Sequence, residues 1–206
     1  MKTYHNPHPP SKLPRVLSPQ EAQELLDHTD NSSDRYAVRD SAILHVLYAT
    51  GARAGELCAM TLDRYDAPNR RILITGKYHR ERWAFLTPRA ARALDTWIAV
   101  RHRFAGPHDY IFVNMPGGAP LADRVLRFIV SYRAEAAFGP HFRVHPHMLR
   151  HSIATHMTDN GIAIDDLARI LGHASLSSTL IYQNVAPNRL AETHAAHHPE
   201  TCISPR

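Results

Sequence analysis

Four short segments of this sequence gather side chains suited to holding an oxyanion and moving protons around it. The first is Thr50-Gly51-Ala52-Arg53-Ala54-Gly55-Glu56-Leu57, with Arg53 just past a glycine. The second runs from Gly76 and Lys77 through Tyr78, His79, Arg80 and Glu81. The third is His147-Met148-Leu149-Arg150-His151, and the fourth is Leu171-Gly172-His173-Ala174-Ser175-Leu176, followed by Tyr182. A guanidinium grips two oxygens of an anion at once, which a lysine cannot do. Imidazoles exchange protons near neutral pH, and a phenol becomes a nucleophile once its proton is taken. On a helix His147, Arg150 and His151 share one face at spacings i, i+3 and i+4, with Leu149, Ile153 and Met157 on another.

These segments need a scaffold, and the sequence predicts one that is mostly helical. The chain has 206 residues, 44% of them hydrophobic and 21% charged, enough for a buried core in one domain or at most two. Ser18-Pro19-Gln20-Glu21 predicts a capped helix start. A second helix is expected over Arg35 to Thr50, with Ile43, Leu44, Val46 and Leu47 as its buried stripe and Gly51 ending it. Arg71 to Thr75 and Arg82 to Leu86 read as a β-hairpin with a charged tip, and Tyr110 to Val113 can add a third strand. Further helices are expected over Pro88 to Phe104, Leu121 to Phe138, Pro146 to Asn160, Ile164 to Leu171, Leu176 to Asn184 and Asn188 to His197. In the second of these, Leu121, Val125, Phe128, Ile129, Tyr132 and Ala136 form the expected apolar face. The fold class is mainly α with a small antiparallel β-sheet, an α+β arrangement. The expected layout is an extended lead-in over residues 1–13, a catalytic domain over 14–199 and a tail over 200–206.

Composition narrows the partners. Lys and Arg number 24 against 19 Asp and Glu, a formal charge of +5, which permits a nucleic-acid partner. Arg70, Arg71, Lys77, Arg80, Arg82, Arg89 and Arg92 are opposed locally only by Glu81, and Tyr78 and Trp83 are interleaved with them. Such a stripe suits a phosphate backbone, with Arg70, Arg71, Arg80 and Arg82 as DNA contacts. No apolar run approaches the roughly 20 residues of a membrane span, and the start carries no secretory signal. Cys58 and Cys202 are expected to be reduced thiols of a cytoplasmic protein. The chain contains 16 histidines, yet no HExxH-type glutamate accompanies His147 and His151, and Arg150 between them would repel a cation. Neither a metal nor another cofactor is expected.

Taken together, the ordered set Arg53, Lys77, His147-x-x-Arg150, His173 and Tyr182 resembles the tyrosine recombinase (integrase) family, most closely its Xer-type branch. The likeness spans about Leu13 to Pro199 and includes HPHMLRHSIATHMTDNG, LGHASLSSTLIYQNV and the trailing HHP. Singly, Tyr182 reads as a packing residue, Lys77 as a solvated charge and Arg53 as a helix cap; a series of matches in the right order is not explained that way. The resemblance implies the DNA breaking-rejoining fold and a site-specific recombinase acting on double-stranded DNA. It further implies Tyr182 as nucleophile, Arg53 and Arg150 as phosphate clamps, Lys77 as general acid, and His147 and His173 as proton or phosphate contacts, with Glu56 as support. It makes His151 structural.

Members of that family usually place a helical DNA-clamping domain ahead of the catalytic one, whereas here only the lead-in precedes Ser18. The expectation is therefore a short recombinase, one relying on a helper protein for DNA grip, or a remnant or piece of something longer, with the intact motif residues arguing against a dead remnant. The family also assembles as a tetramer, so a homo-tetramer or hetero-assembly on DNA is expected, with Asn188 to His197 either docking on a neighbour or packing within its own chain. Type IB topoisomerase-like activity and a non-catalytic DNA-binding module are the alternatives.

Overall fold

Ser18 opens the first helix by a reciprocal pair of hydrogen bonds: its Oγ accepts from the Glu21 N–H at 3.1 Å, and its own N–H donates to Glu21 Oε2 at 2.7 Å. The computed structural model describes residues 15–76, 80–115, 117–172 and 187–202. From Ser18 onward α1 (Pro19–Asp30) turns Ala22, Leu25 and Leu26 inward. Next comes α2 (Ala37–Thr50), the central helix, packed by α1, α4, α5 and α6. Because neighbours surround it, the expected stripe is in fact burial on nearly every side, and even Arg39, Asp40 and His45 are at most 4% exposed. Gly51 ends α2 in the left-handed region (φ +58°), and its N–H reaches Leu47 O at 2.9 Å. A side chain there would strike Leu171 at 2.5 Å, so glycine meets both a conformational and a steric demand.

The chain then reverses into α3 (Ala54–Cys58), a short turn not expected from the sequence, which places Arg53 at its entrance. The sheet follows, with β1 (Tyr65–Asp66), β2 (Arg71–Thr75) and β3 (Glu81–Phe85) antiparallel in that order. The hairpin pairs Ile72 with Ala84, Leu73 with Trp83 and Ile74 with Arg82. The third strand is β1, not Tyr110 to Val113. That run makes only isolated bridges, Thr61 with Tyr110 and Val113 with Pro120. Its carbonyls are taken by side chains: Trp97 Nε1 donates to Ile111 O at 2.9 Å and Arg101 Nε to Tyr110 O at 2.7 Å, which removes the acceptors a ladder would use.

Helix α4 (Pro88–Arg101) is capped by the Thr87 hydroxyl. Helix α5 (Asp123–Phe138) departs from the expected face. Its buried line is Leu126, Ile129, Val130, Arg133 and Ala134, while Phe128 and Tyr132 are 68% and 50% exposed and stack on each other at 6.0 Å. The core position that an apolar residue would mark is held by Arg133, neutralised by Asp40 (Nη2–Oδ2 2.7 Å) and Asp34. A buried arginine thus hid the true stripe.

Helices α6 (Pro146–Asp159) and α7 (Ile164–Leu171) complete the wall behind α2. Finally α8 (Pro187–His197) and α9 (Pro199–Cys202) lie back on the same chain. His194 Nε2 bonds Ala49 O at 2.7 Å, His198 Nε2 reaches Tyr48 O at 3.3 Å, and Leu190 packs on the core. The expected helix over Leu176 to Asn184 lies outside the described residues. Among those residues no helix is long and apolar enough to cross a membrane.

Candidate active site

The site is built where four chain reversals meet: the α2–α3 turn, the sheet hairpin, the start of α6 and the end of α7. Arg53 enters α3 with its backbone N–H donating to Glu56 Oε2 at 2.9 Å and its Nη1 to Glu56 Oε1 at 2.8 Å. This pairing turns the guanidinium across the helix start, where it remains 44% exposed. Its Nη2 reaches the carbonyl of Gly172 at 3.3 Å. Glu56 itself is buried and accepts a second guanidinium, Arg82 Nη2, at 3.0 Å.

Arg150 comes from the first turns of α6. Helix geometry alone suggests that it shares an open face with His147 and His151, but its side chain is drawn inward and is only 5% exposed. Nη1 donates to Gly51 O at 2.5 Å and Nη2 to Leu171 O at 2.7 Å. Two carbonyls hold it, with no carboxylate. Burial, then the neighbouring charges of Arg53 and Arg82, push its pKa down to about 10. Burial lowers that of Arg82 as well, with Arg53 adding to the fall and Glu56 opposing it. Three guanidiniums therefore crowd around one carboxylate, leaving an excess of positive charge fixed by packing and ready to receive an anion.

His147 stays exposed one turn before Arg150, and its Nε2 shares a hydrogen bond with His151 Nε2 at 2.8 Å. Desolvation, then His151, Arg150, His145 and Arg53, hold it below the usual imidazole value, so it is neutral at pH 7. The two rings that share a helix face at i, i+4 thus form one hydrogen-bonded pair. Among the described residues no group of three or more His, Cys, Asp or Glu side chains is placed to hold a metal.

Arg53, Glu56 and Arg150 are brought together with an unexpected member, Arg82. It was expected on the solvent side with Arg70, Arg71 and Arg80; instead its side chain is 14% exposed. The pleat explains its burial: Arg82 lies opposite Ile74 and two residues from Ala84, on the face that buries Ile72 and Ile74. That alternation was the available signal. Arg70 and Arg80 are exposed, while Arg71 is tied to Asp66 at 2.8 Å and lies 4.2 Å over the Trp83 ring. Lys77, His173 and Tyr182 fall outside the described residues. The glycines before the first two, however, both abut the cluster: Gly76 is packed near Glu56 Oε1, and Gly172 lies against Arg82.

Residues 15–189 match the Phage integrase family, and the chain belongs to that family. It is similar to tyrosine recombinase XerC of Bacillus subtilis strain 168, 36% identical over 200 residues, covering 95% of this chain and 65% of the relative. Among solved structures it is similar to the XerA recombinase, with a TM-score of 0.73 and 28% identity over 91% of this chain and 66% of that one. It is also similar to the XerH site-specific recombinase bound to difH substrate, with a TM-score of 0.70 and 26% identity over 94% of this chain and 57% of that one. The chain thus spans about three-fifths of the length of such proteins.

Proposed function

We propose that this chain is the catalytic part, residues 14–199, of a site-specific DNA recombinase that cuts and rejoins strands through a 3′-phosphotyrosyl link. The observation that carries the reading is the convergence of Arg53 and Arg150 on the consecutive carbonyls of Gly172 and Leu171, with Glu56 the carboxylate beside them, since a phosphodiester needs its non-bridging oxygens held as negative charge builds up. In this scheme the Tyr182 oxygen bonds to phosphorus as the P–O5′ bond breaks. Arg53 and Arg150 hold the non-bridging oxygens, with His173 adding a hydrogen bond. His147 accepts the phenolic proton, and Lys77 donates one to the departing 5′-oxygen, so charge and protons balance. The reverse attack by a 5′-hydroxyl reseals the strand, and neither metal nor other cofactor is called for.

Double-stranded DNA is the proposed partner, with exposed Arg70 and Arg80 as backbone contacts. The XerH neighbour, solved on its substrate, supports this. A homo-tetramer or hetero-assembly on DNA, with a helper supplying further grip, and a cytoplasmic setting complete the proposal. Half-burial pushes the Cys58 thiol up to about 11, with Asp123 adding to the shift, which keeps it protonated and inert. A nicked suicide duplex carrying the target site should trap a covalent protein–DNA adduct that disappears in Tyr182→Phe. An adduct that persists in that variant overturns the assignment.

A further inference from the structure

Arg82 occupies a position that contact with a DNA backbone does not explain. A phosphate-catching arginine lies open to solvent, as Arg70 and Arg80 do. Arg82 is turned under the sheet, and its Nη2 donates to Glu56 Oε2 at 3.0 Å. Its Nη1 is fully buried with no hydrogen-bond partner among the described residues. A buried, unbonded donor costs stability, so the guanidinium is not there for the stability of the fold alone. The other edge of the same group faces Gly172. A Cβ added there would lie 2.4 Å from Arg82 Nε and 2.9 Å from Cδ, and Gly172 has φ +67°. Only glycine lets the backbone settle this closely on the guanidinium.

Glu56 is the link on the other side. Its two oxygens divide between Arg53, which it holds by backbone and side chain, and Arg82. Without Arg82 the carboxylate loses the one donor, among the described residues, that comes from outside the α3 turn, and only Arg53 itself then sets the orientation of the pair. We propose that Arg82 is a positioning residue of the anion pocket. Through Glu56 it fixes the orientation of Arg53, and beneath Gly172 it forms the platform on which the end of α7 is seated. This rests on the recombinase reading above and adds to it a residue that acts through Glu56 and the α7 end, rather than by gripping DNA.

The test is single-turnover cleavage of a suicide duplex at saturating DNA. Arg82→Gln should cut about 100-fold more slowly, on the scale of losing one preorganised donor, while its affinity for the duplex stays within about threefold of wild type at fixed salt. Arg82→Lys should recover roughly tenfold of that loss, because the charge remains while the fork is gone. If Arg82 works through Glu56, the double variant with Glu56→Gln should be about as slow as the slower single. Gly172→Ala, which leaves Arg82 in place but lifts the turn, should show the same slow cleavage with unchanged affinity, and it stands in if Arg82→Gln fails to fold. Wild-type cleavage by Arg82→Gln, with weaker binding and a salt slope reduced by about one, makes Arg82 a peripheral phosphate contact and overturns the proposal. So do losses that multiply in the double variant. Should the wild type itself yield no adduct, the recombinase reading falls separately, and thermal protection by inorganic phosphate decides on Arg82: weaker protection of Arg82→Gln supports its role in the pocket, and equal protection overturns it.

Discussion

Nε2 of His151 lies 2.8 Å from Nε2 of His147, so one ring donates the proton that the other accepts. The pair keeps His147 oriented, while desolvation and then the charges around it hold its pKa below the usual imidazole value. In the proposed role of proton acceptor, His147 works only when unprotonated. The cleavage rate should therefore rise with pH through an inflection below 6.5 and level off above it. In His151→Phe one source of repulsion is gone, and the inflection should move upward. Single-turnover rates between about pH 5 and pH 8 check both statements.

Arg150 is held by Gly51 O and Leu171 O and has no carboxylate partner. Arg150→Ala should cost on the order of 3–4 kcal/mol of transition-state stabilisation. Arg150→Lys should recover little, since an ammonium cannot meet both carbonyls and a phosphate oxygen. The ratio of cleavage rates at saturating DNA measures both.

The C-terminal helices are docked by neutral histidines. Burial lowers the pKa of His156, His194 and His198, the last to about 3. Below about pH 6.5 the unfolded chain takes up protons more readily than these three do, so stability should fall as pH drops; for His198 the fall continues toward pH 3, at up to about 1.4 kcal/mol per pH unit. Glu200, whose pKa is lowered, adds to the loss at the acid end. His45, held above its usual value between Asp30 and Glu200, works the other way: its contribution is complete below about pH 6.5 and fades as pH rises through its folded value. Urea unfolding at pH 5 and pH 7.5 should show the net acid loss, with a shallower drop in His198→Asn.

Phe128 and Tyr132 sit on the open side of α5, and Leu126 sits on the buried side. Phe128→Ala should change stability by no more than about 0.5 kcal/mol, whereas Leu126→Ala should cost about 2–5 kcal/mol. Equal losses would restore the face first read from the sequence.

At Gly51, Ala must adopt φ +58° and place its methyl 2.5 Å from Leu171 Cδ2. Gly51→Ala should destabilise the fold by about 1–3 kcal/mol. Thermal unfolding reports it.

Local signals carried much of this architecture. The Ser18 capping box, the hairpin strands and the bounds of α7 follow from patterns a few residues long. Long-range partners were harder to see. Arg133 is buried because Asp34 and Asp40, from distant parts of the chain, neutralise it, and the inferred face of α5 holds at Ile129 but not at Phe128 and Tyr132. The apolar Tyr110 to Val113 run failed as a strand because Trp97 and Arg101 claim its carbonyls. At the site, order along the chain pointed to Arg53 and Arg150, but the inward turn of Arg82 required the register of β2 against β3.

The end of α7 receives Arg150 at Leu171, Arg53 at Gly172 and the flank of Arg82, from stretches up to 119 residues away. A chain that stops before Leu171 lacks the carbonyls that receive Arg150 and Arg53. On the recombinase reading, a nascent chain still short of Gly172 would lack this assembled anion site, so competence to break DNA would arrive late in synthesis.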